Sequence, residues 1–390
     1  MLPFEKSEYL ERMKRVRNVM SAKGIDVLII PDPANMAYLA GYNAWSFYVH
    51  QVVIVTIDDE MPIFVGRYMD AFTGAVKTTW LDTNHVRAYS DDYVQSTEKH
   101  PFDYVAQVVK DLGLENKTIG VEMDAYYFTA SCFESLKKGL PKARFANANL
   151  LVNWVRIIKS DHEIELQKKA AKIVEKGMQT AIDSLNPGTR QCDVAANIYH
   201  SLVSGTEEFG GDYPAIVPLM PSGETAGAPH LTWTDEKYSS GTTVVIEIAG
   251  CYQRYHSPMS RTISIGEPSE KVKRIAEITV EGLNAALNTV KPGVTCEEVE
   301  LAWRNVLKKY GLEKESRIGY SMGLNYPPDW GEHTASLRPG DKTILQPNMT
   351  FHCIPGMYFD DFGVEISEAF RVTESGCETL ANFPRRLFVN

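Results

Sequence analysis

The stretch VVIEIAGCYQRYHSPMSRT, residues 244–262, decides the fold more than any other part of the chain. Val244, Val245 and Ile246 form an apolar run that reads as a buried strand, and the run carries Glu247 into the interior. The following SRTISIG reads as the returning strand of the pair. An ionised carboxylate in such a place costs on the order of several kcal/mol unless something pairs with it or uses it. Eleven residues after Glu247 stands Pro258, which has neither a polar side-chain atom nor a backbone N–H.

Outward from this stretch, the flanking segments repeat each other. Residues 174–194, VEKGMQTAIDSLNPGTRQCDV, echo residues 280–299, VEGLNAALNTVKPGVTCEEV. Gly177, Ala181, Pro187 and Gly188 match Gly282, Ala286, Pro292 and Gly293 at one constant offset. Each copy reads as a helix, a Pro-Gly turn and a second helix. Strands follow each pair: TTVVIEIAG with SRTISIG after the first, MTFHCIPGMY with EAFRVT after the second. A duplicated unit of this kind predicts an α+β domain with a pseudo-two-fold and its site between the halves.

The first part of the chain has a different rhythm. Residues 5–23 carry a helical apolar pattern that stops at Gly24. IDVLIIP, VVIVTI, PIFVGR and TIGVEMD read as strands and PANMAYLAGY as a short helix, so this part is α/β. Ser160, with Glu163 three residues on, makes a capping box for a long helix. The boundaries drawn from these signals are residues 1–155 for the N-terminal domain and 156–390 for the second.

Composition narrows the partners. The chain has 390 residues, 44% apolar and 23% charged, with a net charge of −10. That balance fits a globular domain pair and argues against nucleic acid, whose phosphates want a basic face. No apolar run is long enough to span a membrane and no apolar leader opens the chain, so a cytoplasmic location without membrane partners is expected. Six scattered cysteines without a CxxC pair read as reduced thiols, Cys251 and Cys353 being the two near interesting segments.

The motifs together resemble the pita-bread family of methionine aminopeptidase, aminopeptidase P, prolidase and creatinase. SGETAGAPHL is similar to that family's histidine segment, IGYSMGL to its Gly-His-Gly segment, HCIPGMY to its Thr-Ile-Glu-Pro-Gly segment and GVEISEAFRVTESG to its final glutamate segment. The resemblance extends over nearly the whole chain, with a creatinase/prolidase-type α/β domain first. The family's dinuclear metal site uses two aspartates, a histidine and two glutamates. At the matching positions this chain has Glu247, Pro258, Tyr320, Ile354 and Ser367. One possible ligand of five remains, so the expectation is an enzyme without metal or other cofactor.

Creatinase is the metal-free precedent in that family. Within it, GYNAWSFYVHQ, PHLTW, EIAG and SPMSRT are similar to the ectoine hydrolases, which implies hydrolytic opening of the cyclic amidine of ectoine. On that reading Glu247 is the nucleophile or the general base, His230 the proton shuttle and Tyr320 a donor to substrate. His256 and His352 are alternatives to His230, and His352 is expected to face the pocket. Trp45, Phe47 and Tyr48 are expected to wall the amidinium, reaching the partner's active site in a homodimer. Glu365 or Glu368, with preference for Glu368, holds a ring N–H. Arg261, Arg67 and Arg338 are candidates for the substrate carboxylate. Two other readings stay open, a creatinase-like hydrolase for another guanidino or amidine compound and a non-catalytic binding domain.

Overall fold

The computed structural model describes residues 2–390 and divides into two compact units, Met1–Arg156 and Ile157–Asn390. In the first, α1 (Lys6–Ala22) buries Tyr9, Met13, Val16 and Met20, the 3–4 spacing of one helical face. The strands β1 (Val27–Ile30), β2 (Val52–Thr56), β3 (Ile63–Arg67), β4 (Val86–Tyr89), β5 (Thr118–Val121) and β6 (Arg144–Asn147) form one sheet in the order β4-β3-β2-β1-β5-β6. β2 runs antiparallel to both β1 and β3, and the remaining pairs are parallel. β1 and β2 are buried along their whole length, as their unbroken apolar runs require. Asp32 caps α2 (Pro33–Ala40) by accepting from the Asn35 N–H at 2.9 Å. α3 (Pro101–Asp111) and α4 (Ala130–Gly139) pack together on the same core.

The second unit is built on the repeat. After the short α5 (Leu151–Arg156) that ends the first unit, α6 (Asp161–Ser184) begins at the Ser160–Glu163 capping box. It packs on α7 (Gln191–Ser204), as α8 (Glu270–Thr289) packs on α9 (Cys296–Lys309). Both Pro-Gly turns put the glycine in the left-handed region, Gly188 at φ 87° and Gly293 at φ 89°. The repeated helix glycines let the paired elements approach closely. A Cβ on Gly282 would lie 2.2 Å from the Trp303 ring, and one on Gly177 would lie 2.6 Å from Leu202.

The strands meet in two sheets. β7 (Thr243–Tyr252) pairs antiparallel with β8 (Tyr255–Ser264), and the short β16 (Phe388–Val389) joins β8. The other sheet has the order β10-β9-β11-β14-β15, from β9 (Gly319–Met322), β10 (Gly331–Leu337), β11 (Thr350–Cys353), β14 (Glu368–Val372) and β15 (Cys377–Thr379). A two-stranded hairpin, β12 (Met357–Tyr358) with β13 (Gly363–Val364), lies between β11 and β14 in sequence. All six cysteines are unpaired thiols. Among the described residues, no helix is long and apolar enough to cross a membrane.

Candidate active site

Glu247 lies in the middle of β7 and is 6% exposed. Its backbone exchanges two hydrogen bonds with Leu219, both 3.0 Å, so the segment leading to His230 is fastened to the strand at this residue. Across the strand pair it faces Ser260, and directly opposed residues project from the same side of a sheet. Ser260 in turn links the two sheets: its N–H donates to Ser367 Oγ at 2.7 Å, and its carbonyl accepts from the Ser367 N–H at 3.1 Å. Two residues along, Thr262 Oγ donates to the Glu365 carbonyl at 3.0 Å and accepts from the Glu365 N–H at 2.8 Å. This cross-sheet stitching brings Glu365 to Glu247.

The two carboxylates are both buried, and their charges act on each other. Burial, then Glu365, then Asp329 push the Glu247 carboxyl well above the usual carboxylate range. Burial also raises Glu365, while the Ser260 and Tyr358 hydroxyls, Lys314 and His230 pull it back. The Tyr358 hydroxyl donates to Glu365 Oε2. Among the described residues Glu247 accepts no side-chain hydrogen bond, and neither carboxylate has a lysine or arginine within 4.0 Å. The nearest basic atom to Glu247 is His352 Nδ1 at 4.0 Å. Burial holds that imidazole neutral, its pKa lowered to about 3.

Tyr320 and His352 face each other across β9 and β11. The Tyr320 hydroxyl lies 3.1 Å from His352 Nδ1 and accepts from Trp330 Nε1 at 2.8 Å. His352 Nε2 lies 2.8 Å from Ser367 Oγ. Trp330 packs beside His256, which is neutral through burial and accepts the Ala215 N–H at its Nε2, 3.0 Å away. The result is a polar row, Trp330–Tyr320–His352–Ser367, along the wall beside Glu247. Tyr320 and His352 are legible as candidates in the sequence, whereas Trp330 is not, and Ser367 stands there only as a lost ligand.

His230 is exposed, on the loop after a short 3-10 turn, and its charge reaches Glu365. Close backbone packing sets that loop. A Cβ on Gly227 would fall 2.0 Å from the Phe359 carbonyl, and one on Gly363 would fall 2.0 Å from the Ala226 carbonyl. Two cations that no sequence motif marks act on this cluster. The Lys314 ammonium donates to the Gly356 carbonyl at 2.6 Å and lies 4.9 Å from the Tyr358 ring centre. Burial lowers its pKa to about 8 against the upward pull of Glu365. The Arg317 guanidinium lies 4.6 Å from the Tyr320 ring centre, and its charge acts on both Tyr320 and Asp329.

Several expected substrate contacts are placed elsewhere. Arg261 is fully buried; it donates to Glu368 Oε1 at 2.8 Å and to the carbonyls of Ser260, Ser367, Phe383 and Pro384. Glu368 also pairs with Arg385 at 3.2 Å. Neither Arg261 nor Glu368 is therefore a substrate ligand, and the carboxylate beside Glu247 is Glu365. Regular strand alternation does not hold across these residues, because residues 365–367 lie between β13 and β14. Arg254, on the hairpin between β7 and β8, donates to the Tyr213 and Asn325 carbonyls and not to Glu247. Arg67 pairs with Asp91 at 2.5 Å in the first unit, and Arg338 is exposed. Phe47 is buried, 4.9 Å from the Trp45 ring and 5.3 Å from the Tyr127 ring, so it packs in the core and is no exposed wall. Trp45 and Tyr48 are 56% and 68% exposed. The Cys251 and Cys353 thiols are buried and their pKa values raised, that of Cys251 to about 12, which removes them as nucleophiles.

A strand pair with an inward acidic residue, flanked by a duplicated helix–helix unit and preceded by an α/β unit, defines the creatinase/prolidase class. Residues 12–158 match the creatinase/prolidase N-terminal domain, and residues 165–374 match metallopeptidase family M24. The chain belongs to that family and is a hydrolase acting on C–N bonds. It is 47% identical to the ectoine hydrolase of Halomonas elongata, over 100% of this chain and 98% of the relative. It is 26% identical to the Xaa-Pro dipeptidase of Pyrococcus furiosus, over 97% and 99% of the two chains. Dipeptidase PepE from Mycobacterium ulcerans superposes with a TM-score of 0.82 at 25% identity, covering 99% of each chain.

The residues here do not fit the dinuclear metal site implied by that family. Pro258 and Ile354 offer no donor atom, and Tyr320 and Ser367 are both hydrogen-bonded to His352. Glu247 alone is a carboxylate among the five positions.

Proposed function

We propose that this chain hydrolyses ectoine, opening its cyclic amidine to N-acetyl-L-2,4-diaminobutyrate without a metal ion, in cytoplasmic osmolyte catabolism. One observation carries the reading: two carboxylates, Glu247 and Glu365, are both buried, the charge of the second acts on the first, and neither has a lysine or arginine in ion-pair range. An amidinium is a planar cation with N–H groups that two carboxylates can hold through charge-assisted bonds. The full-length identity of 47% to an ectoine hydrolase supports the same substrate.

A Glu247 oxygen attacks the amidine carbon. One ring C–N bond then breaks, its electron pair going to the nitrogen, which takes a proton from the Tyr320 side of the pocket. Water adds to the carbon still bound to Glu247, the Glu247 C–O bond breaks, and the acetamido product leaves with the carboxylate restored. His230, exposed beyond Glu365, exchanges protons with solvent. Arg317 and Lys314 provide positive charge for the substrate carboxylate. Trp45 and Tyr48 supply an aromatic wall across a homodimer.

A panel of ectoine, hydroxyectoine, creatine and a Xaa-Pro dipeptide, followed by mass spectrometry, tests the substrate. Turnover of ectoine with little of the dipeptide supports the reading. Turnover of creatine alone points to the creatinase-like alternative, and turnover of the dipeptide alone contradicts both.

A further inference from the structure

The row along the pocket wall admits a count of protons. Its two ends are closed by groups that only donate: Trp330 Nε1–H to the Tyr320 oxygen, and the Ser260 backbone N–H to the Ser367 oxygen. Between them are two hydrogen bonds, Tyr320 to His352 Nδ1 and His352 Nε2 to Ser367. Burial keeps the imidazole neutral, so it carries one N–H. The Tyr320 hydroxyl, the imidazole N–H and the Ser367 hydroxyl make three mobile protons for two bonds. One proton must point out of the row.

Two arrangements satisfy both internal bonds. In one, Tyr320 donates to Nδ1, Nε2–H donates to Ser367, and the leftover proton is that of Ser367. Ser367 is fully buried, and among the described residues its hydroxyl has no acceptor in reach besides His352. A buried hydroxyl proton without an acceptor is costly. In the other, Ser367 donates to Nε2, Nδ1–H donates to Tyr320, and the leftover proton is that of Tyr320. Tyr320, unlike Ser367, is only partly buried, so its outward proton can meet the pocket, where the charge of Glu247 acts on it.

We propose that Ser367 and His352 are positioning residues that fix the imidazole as its Nδ1–H tautomer and so turn the Tyr320 hydroxyl proton outward, toward Glu247 and the reacting substrate. The tautomer follows from the hydrogen-bond count together with the full burial of Ser367; the use of that proton on a departing nitrogen rests on the amidine-hydrolase reading above. With the proton given up, the Tyr320 oxygen keeps two N–H donors, Trp330 and His352, to stabilise the charge left behind.

Nitrogen-15 NMR of histidine-labelled protein reads the tautomer directly, with the His352 resonances assigned by their loss in His352→Asn or by their shift in Ser367→Ala. A protonated Nδ1 and a bare Nε2 are expected at neutral pH. A protonated Nε2 overturns the proposal whether or not ectoine is a substrate. In kinetics, Ser367→Ala is expected to lower kcat by about tenfold or more with KM nearly unchanged, and Ser367→Thr to restore most of it. An unchanged kcat in Ser367→Ala alongside wild-type ectoine turnover overturns the positioning role. Absence of ectoine turnover in the wild type falls on the substrate reading and leaves the tautomer measurement decisive.

Discussion

Arg261 Nη2 lies 2.8 Å from Glu368 Oε1 with both side chains sealed from solvent, and this pair joins β8 to β14 behind the pocket. Arg385 adds a second cation to the same oxygen at 3.2 Å. Removing Arg261 leaves Glu368 to Arg385 alone and deprives the Ser260, Ser367, Phe383 and Pro384 carbonyls of their donor, and breaking such a buried pair costs roughly 3–5 kcal/mol. Arg261→Met is therefore expected to lower the unfolding midpoint sharply while leaving KM of the folded fraction near wild type. Chemical denaturation with parallel kinetics checks this, and a large KM change at unaltered stability would return Arg261 to the substrate-binding set.

Glu247→Gln separates function from stability in the opposite direction. It keeps the volume, removes the proposed nucleophile and relieves repulsion with Glu365. Turnover is expected to fall by about 10³-fold or more, while the thermal midpoint holds or rises by a few degrees, on the order of 1 kcal/mol. Calorimetry and a turnover assay on one preparation give both numbers. Activity within tenfold of wild type would remove Glu247 from the chemistry.

The pH dependence follows from the carboxylate pair. Burial and the charge of Glu365 raise Glu247 in the free enzyme, and on the proposed mechanism a cationic substrate binds its anion. Affinity is therefore weak while Glu247 is protonated and grows as pH rises through its raised pKa, with a proton released on binding. The acid limb of kcat/KM is expected above the ordinary carboxylate value of about 4.3. Since Glu365 is the largest charged contributor to that rise, Glu365→Gln moves the limb to lower pH. A limb that stays in place in this variant contradicts the coupling.

Arg317→Ala tests the carboxylate contact. Its guanidinium lies on the Tyr320 ring, so its loss is expected to raise KM for ectoine about tenfold and to leave an amidine lacking the carboxylate nearly unaffected. Equal effects on both compounds would assign Arg317 to holding Tyr320 instead.

Local signals explain what the sequence reveals here. The unbroken run Val244–Ile246 places Glu247 inside because a strand buried on both faces has no polar side to offer. The constant offset between the two Pro-Gly turns exposes the duplicated helix pairs, and Ser160 with Glu163 marks the start of α6. Residues whose place depends on register between distant strands are not legible in this way. Glu365 and Glu368 are three apart, and only the irregular backbone at residues 365–367 turns the first to the pocket and the second to Arg261. His352 reads as a minor rival of His230 until β9 pairs it with Tyr320, and Ser367 reads as an inert replacement until Ser260 brings it to that imidazole. Trp330, Lys314 and Arg317 lie on or beside loops whose sequence has no periodicity to interpret.

On the proposed mechanism a carboxylate does the work a metal does elsewhere in this family. This is tested most directly by mixing metal-stripped protein, kept in chelator, with ectoine and following free product and intact protein mass through the first turnover. Undiminished formation of N-acetyl-diaminobutyrate is expected, with a transient adduct that maps to the peptide containing Glu247. Loss of product on stripping, with recovery on adding a divalent ion, would contradict that mechanism.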